Sequence, residues 1–134
     1  MIGKIYNVLF TFYNSNTGKN DYKYRPVLIV GVADSGDYVV FPISRVTKKE
    51  YLSADYDIEI DPEKYPNTKL TDVSYVRTHK RSIANRADIA SCKCDLKTEY
   101  AELYTSIIEK AKAFDADLME KAVQCTESCQ QDLS

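Results

Sequence analysis

Three stretches of the chain hold side chains suited to gripping a phosphate. Lys19, Lys23 and Arg25 form one basic group, Arg45, Lys48 and Lys49 a second, and Arg77, Lys80 and Arg81 a third. Hydroxyls and rings stand beside them: Ser44 after Pro42-Ile43, Ser74-Tyr75 ahead of Arg77, and Tyr13, Tyr22 and Tyr24 around the first group. Local clusters of charge govern polyanion binding more than the total does, and here the total is only −2. A guanidinium matches phosphate oxygens in a bidentate fork, and a serine hydroxyl adds a neutral donor. Taken singly, each basic group is what the solvated rim of a strand looks like. It is their recurrence beside polar and aromatic residues that points to an anionic ligand.

Other chemistries find little support. His79 is the only histidine, which excludes a two-histidine acid–base pair within one subunit. Lying in a basic segment, it reads as a surface residue. Cys92-Lys93-Cys94 and Cys125-Thr126-Glu127-Ser128-Cys129 supply four thiols, but not at the spacing of a zinc ribbon. Free thiols are ordinary in a reducing cytosol. No metal and no cofactor is expected. The chain has no Walker loop, no GxGxxG, no HExxH and no GxSxG elbow.

The elements that must carry these groups follow from periodicity. At 134 residues, with 44% hydrophobic and 28% charged residues, the chain suits one soluble domain with its own core. No apolar run is long enough for a membrane-spanning helix. The N-terminus opens directly into Gly3-Lys4-Ile5-Tyr6-Asn7-Val8 without a leader pattern, so a cytoplasmic location is expected.

Residues 5–12 alternate, with Tyr6, Val8, Phe10 and Phe12 on one face, as in a half-buried strand. The polar stretch 13–21 reads as a long loop. Pro26-Val27-Leu28-Ile29-Val30 is continuously apolar and should be a strand buried on both faces, with Arg25 at its start. Holding an arginine there is costly unless it is paired or set for a ligand. Asp34-Ser35-Gly36-Asp37 is a hairpin turn, with a return strand from Tyr38 to Ile43. Further strands are expected from Tyr56 to Ile60 and from Val73 to Thr78.

Short strands joined by turns predict a small antiparallel barrel over residues 1–90. After Asp95, a good N-cap, Leu96, Tyr100, Leu103, Tyr104, Ile107, Ile108 and Ala111 recur at helical spacing. The pattern resumes at Leu118, Met119, Ala122 and Val123, either after a break near Phe114 capped by Asp115 or as one continuing helix. Fold class is therefore α+β, mainly β, with residues 91–134 as a C-terminal helical extension packed on the barrel or on a partner.

The leading Gly-Lys-Ile-Tyr, the segment Lys23-Tyr24-Arg25-Pro26-Val27-Leu28-Ile29-Val30, the strand ending Pro42-Ile43-Ser44 and the later Ser74-Tyr75-Val76-Arg77-Thr78 resemble, in that order, the MazF/PemK toxin family. The likeness covers about residues 2–90. It implies an SH3-like barrel with helices against it, usually a homodimer. It also implies a metal-independent, sequence-selective endoribonuclease acting on single-stranded RNA, held in check by a cognate antitoxin protein. Arg25 and Ser44 are then the expected catalytic pair at the cleaved phosphate. The family gives the arginine acid–base work as well, but a guanidinium surrenders its proton so reluctantly that charge stabilisation is the role expected first. RNA contacts are expected from Lys19, Lys23, Tyr24, Arg45, Ser74, Tyr75, Arg77 and His79, since unpaired bases stack on rings and phosphates seek cations. A non-catalytic SH3-like barrel that binds nucleic acid or protein is the competing expectation.

Overall fold

The structure, a computed structural model, describes residues 1–46 and 48–132, with side chains up to residue 124 apart from Thr47. Seven strands form one curled antiparallel sheet: β1 (Ile5–Asn14), β2 (Lys19–Asp34), β3 (Asp37–Ser44), β4 (Asp57–Ile60), β5 (Ser74–Arg77), β6 (Ser82–Asn85) and β7 (Ile89–Cys94). Their order is β4-β5-β3-β2-β1-β7, and β6 lies against β3. Two helices follow, α1 (Leu96–Glu99) and α2 (Ala101–Asp132). The fold is mainly β and barrel-like with a C-terminal helix, in agreement with the expected class. No helix among the described residues is long and apolar enough to cross a membrane.

The apolar run in β2 behaves as its composition demands. Val27, Leu28 and Ile29 are fully buried, and alternate residues feed two separate cores. Leu28 joins Ile5, Phe41, Ile43, Ile60, Val76 and the helical Leu96, Leu103 and Ile107. Val27 and Ile29 join Val8, Val40 and Ala84 on the other face. A strand covered on both sides has no solvent face on which polar residues would be favoured.

Gly3 locks the N-terminus onto this framework. Its φ of 88° lies in the left-handed region, and a Cβ there would come within 2.7 Å of Lys97 Cβ. Its amide donates to Ile29 O at 2.7 Å while its carbonyl accepts from Lys97 N at 3.0 Å. Only glycine meets both demands.

Two sequence expectations give way. The stretch 13–21 is not a long loop. β1 runs to Asn14 and β2 begins at Lys19, leaving only residues 15–18 as the turn. Asn14 makes this possible: its carbonyl accepts from Gly18 N at 2.9 Å and its side chain from Asn16 N at 3.0 Å, while Gly18 takes a φ of 70°. The boundary placed at residue 90 falls inside β7, which pairs with β1 at Ile5↔Cys94, Tyr6↔Cys92 and Val8↔Ile89. β6 and β7 were not expected as separate strands.

The helix belongs to the main core. Asp95 caps α1, accepting from Thr98 N at 3.3 Å. The interruption comes at Tyr100, whose φ of −134° ends α1, and not near Phe114. α2 then continues unbroken, the second of the two forms expected for it. Asp115, instead of capping a helix, pairs with Arg81 at 2.9 Å. Ile107, at 0% exposure, is wedged between helix and sheet. Ile107→Val removes one methylene from a packed site and should cost about 0.5–1.5 kcal/mol of stability by urea unfolding.

Candidate active site

The site arises where β2 and β3 part. Their ladder ends at Val27↔Pro42, and the prolines Pro26 and Pro42 sit at that end, where a missing N–H removes least from the sheet. Beyond it β2 stays with β1 alone, while β3 carries on with β5 through Ile43↔Val76 and Ser44↔Tyr75. Arg25 lies two residues outside the last pair on β2, and Ser44 two residues outside it on β3. Each keeps the parity of that last pair, so both belong to one face of the sheet, and they line the same hollows.

Three hollows open from this gap; one, lined by Phe10, Phe12, Arg25, Pro42, Ile43, Ser44 and Ser82, is largely apolar, and the other two are cationic. One of these two, of about 360 Å³, is lined by Lys23, Tyr24, Arg25, Ser44, Arg45, Ser74 and Lys93, with Asn7 and Thr71 adding neutral polar groups. The other, of about 630 Å³, is lined by Ser44, Arg45, Lys48, Tyr51, Arg77, His79 and Lys80. They share Ser44 and Arg45, so these two residues form the ridge between them. No carboxylate among the described residues lines either hollow. In a chain with 20 acidic residues, such a surface favours an anion.

Arg25 is solvent-exposed in mid-strand, so the expected desolvation cost at the start of a buried strand does not arise. None of the ion pairs among the described residues involves it. Its guanidinium is available to a ligand. Arg45 is partly engaged, donating to Asp72 at 2.8 Å in an exposed pair that contributes little. Ser74 is buried and its hydroxyl donates to Asp72 O at 3.0 Å, which commits it to its own turn.

Arg77 braces the larger hollow. Its Nε and Nη2 reach Asp57 at 3.1 and 3.3 Å, and Nη2 also donates to Tyr51 O at 2.7 Å. Asp57 and Arg77 are also direct partners on β4 and β5. So held, Arg77 is one of the residues that line the hollow.

His79 is not the surface residue its neighbours suggested. Its side chain is 17% exposed, Nδ1 lies 3.6 Å from Asp57 Oδ1, and its ring faces Tyr56 and the α2 residue Phe114. Burial lowers its pKa below the ordinary 6.5 even though Asp57 pulls the other way. The cause is packing from α2, which a local reading of a basic segment does not contain.

Of the expected RNA-contacting residues, Lys23, Tyr24, Arg45 and Ser74 join Arg25 and Ser44 at the smaller cationic hollow, and Arg77 and His79 line the larger. Lys19 and Tyr75 line neither. Lys19 sits at the tip of the β1–β2 hairpin opposite Asn14, and Tyr75 turns its hydroxyl toward Glu59 at 3.5 Å. Lys93, on β7, was missed. It reaches the hollow because β7 pairs with β1, and its Nζ also donates to Lys69 O at 3.1 Å.

Cys92 is exposed and Cys94 buried, both as free thiols. Cys125 and Cys129 lie outside the described side chains. Burial and the neighbouring Glu99, to which Cys94 Sγ donates at 3.1 Å, push the Cys94 thiol up to about 12. The thiolate is the reactive form. Brief alkylation of the native protein near pH 8, read site by site by mass spectrometry, should label Cys92 and leave Cys94 unmodified until the fold is melted.

No family model matches the chain and no curated protein matches it, so the likeness to the MazF/PemK family rests on the motif segments alone.

Proposed function

We propose that the chain is a metal-independent endoribonuclease of the MazF/PemK type, cleaving single-stranded RNA between Arg25 and Ser44. The observation that carries this reading is that the two residues the motif nominates lie just past the last β2–β3 pair and line the same cationic hollow.

The reaction makes a bond from the ribose 2′-oxygen to the adjacent phosphorus and breaks the bond from phosphorus to the 5′-oxygen. One proton leaves the 2′-hydroxyl and one arrives at the departing 5′-oxygen. The products are a 2′,3′-cyclic phosphate and a free 5′-hydroxyl. What the protein must supply is in-line positioning and stabilisation of charge on the non-bridging oxygens. Arg25 is suited to hold two of those oxygens in its fork, with the Ser44 hydroxyl donating from the facing strand. Arg45, Lys23 and Lys93 hold the flanking phosphates. In its braced position Arg77 fixes the wall of the larger hollow, where the strand continues. A homodimer, a cytoplasmic location and an antitoxin that blocks or distorts the cleft belong to the same reading.

The deciding experiment incubates the purified protein with mixed-sequence single-stranded RNA in EDTA. Cleavage giving 5′-ends that a polynucleotide kinase phosphorylates directly, and 3′-ends that resist ligation until the cyclic phosphate is opened, is the expected result. Failure to cleave, or cleavage that EDTA abolishes, sinks the proposal.

A further inference from the structure

The free part of the β1–β2 hairpin carries a row of exposed rings that the cleavage chemistry does not use. β1 loses its second neighbour after Val8↔Ile89, and β2 loses its own before Val27↔Pro42. Residues 9–14 and 19–26 therefore form a two-stranded arm that extends past the other strands, its base held to the core through Phe10. Such a ribbon is marginal in water by itself, yet this one exposes Tyr13 at 66%, Tyr22 at 66% and Tyr24 at 55%.

Directly paired residues project to the same side of a ribbon. The pairs Asn7↔Pro26, Leu9↔Tyr24, Thr11↔Tyr22 and Tyr13↔Asn20 therefore share one face. On it Tyr24, Tyr22 and Tyr13 form a row that starts at the cleft, which Tyr24 and Pro26 line, and runs to the tip. Tyr24 and Tyr22 are two residues apart, about 7 Å along the strand. No carboxylate stands on this face, while Lys19, Lys23 and Arg25 alternate onto the other. Leu9 and Pro26 lie at the inner end of this face, and outward from them Tyr22 and Tyr13 stand among Thr11 and Asn20 as separate flat platforms. Exposed rings of this kind receive unpaired bases, and the cations on the opposite face add positive potential to the arm without meeting the same nucleotides.

We propose that this arm is a base-stacking track for single-stranded RNA, with Tyr24, Tyr22 and Tyr13 each receiving one unpaired base on one side of the cleaved phosphate. The placement of that phosphate rests on the endoribonuclease reading; the stacking itself does not. Tyr13 and Tyr22 thereby set how far the footprint extends, and they act on affinity for RNA without touching the reacting atoms.

The test uses a fluorescent 2′-O-methyl oligonucleotide of mixed sequence, which cannot be cleaved, with binding followed by anisotropy. Tyr13→Val and Tyr22→Val remove the ring but keep a residue that favours strands, and Tyr→Phe at each position keeps the ring. Each valine change should weaken binding by roughly 5- to 150-fold, the range expected for one base–ring stack, and each phenylalanine change should leave it at the wild-type level. Valine variants that bind as wild type, phenylalanine variants as weak as valine, or a wild type that binds no oligonucleotide would each overturn the track. Unchanged RNA affinity with altered sedimentation would also overturn it, assigning the arm to contact between copies. Ring-dependent binding without cleavage of unmodified RNA would keep the track and reject the endoribonuclease.

Discussion

On the endoribonuclease proposal, Arg25→Ala should lower the single-turnover rate of RNA cleavage in EDTA by about 10²- to 10³-fold, the usual loss when one preorganised donor to a developing oxyanion is removed. Stability should barely change. Arg25 is exposed, forms none of the ion pairs among the described residues and contributes to neither core, and surface changes of that kind stay within about 0.5 kcal/mol. A fall in rate with an unmoved urea midpoint separates loss of chemistry from loss of fold. Arg25→Lys should recover part of the rate, because it restores the charge but not the bidentate fork. Ser44→Ala should cost roughly tenfold, the worth of one hydrogen bond from a neutral hydroxyl, and Ser44→Thr should recover it. Both residues are placed at the same phosphate, so the double variant should lose less than the product of the single losses. An Arg25→Ala enzyme that cleaves within a few-fold of wild type would remove Arg25 from the mechanism.

Arg25 and Ser44 come to one hollow through features that show only partly in the sequence. The unbroken apolar run at Val27–Val30 and the turn at Ser35-Gly36 make β2 and β3 a hairpin on sight. A regular hairpin about that turn would set Arg25 opposite Val46, leaving Ser44 off the pair. Two irregularities, between Ile29 and Gly31 and between Val32 and Asp34, shift the register so that Val27 meets Pro42, which brings Arg25 and Ser44 to the same hollow. A bulge arises from the accommodation of two whole strands, and no short sequence pattern announces it. The motif supplied the pair; the bulges supply the geometry.

The misses share a cause. Residues 13–21 are polar because both faces of the arm meet solvent, and polarity alone does not separate a loop from an exposed strand. His79 and Lys93 owe their surroundings to partners far along the chain, Phe114 on α2 and Tyr6 and Val8 on β1. Local period and composition hold no record of such contacts. The helix from Asp95 was legible because its cap and its 3.6-residue spacing are local.

Asp57→Ala should be the most destabilising single change near the site, at about 3–5 kcal/mol, the cost of stripping one partner from a buried ion pair. Asp57 is 2% exposed and Arg77 13%. The carboxylate accepts from Ser53 N at 2.8 Å and from two guanidinium nitrogens, and it lies 3.6 Å from His79. Removing it orphans a buried cation and a backbone amide together. Asp57→Asn keeps an acceptor for Ser53 but turns an amide toward the guanidinium or leaves that charge unpaired, so it should recover only part of the loss.

The burial of His79 should give this site a pH dependence. Its folded pKa is depressed by burial, so the stability contributed by its neutral form is present above about pH 6.5 and is lost as pH falls through the folded value. The wild-type urea midpoint should therefore drop between about pH 7 and pH 5 by more than that of His79→Gln. Removing Asp57 takes away the one neighbour that favours the imidazolium, so the imidazole of His79 in Asp57→Ala should titrate lower still by NMR. If that resonance instead moves up toward 6.5, the burial of His79 is being relieved by local unfolding, and Asp57 is holding the wall of the cleft in place as well as its charge.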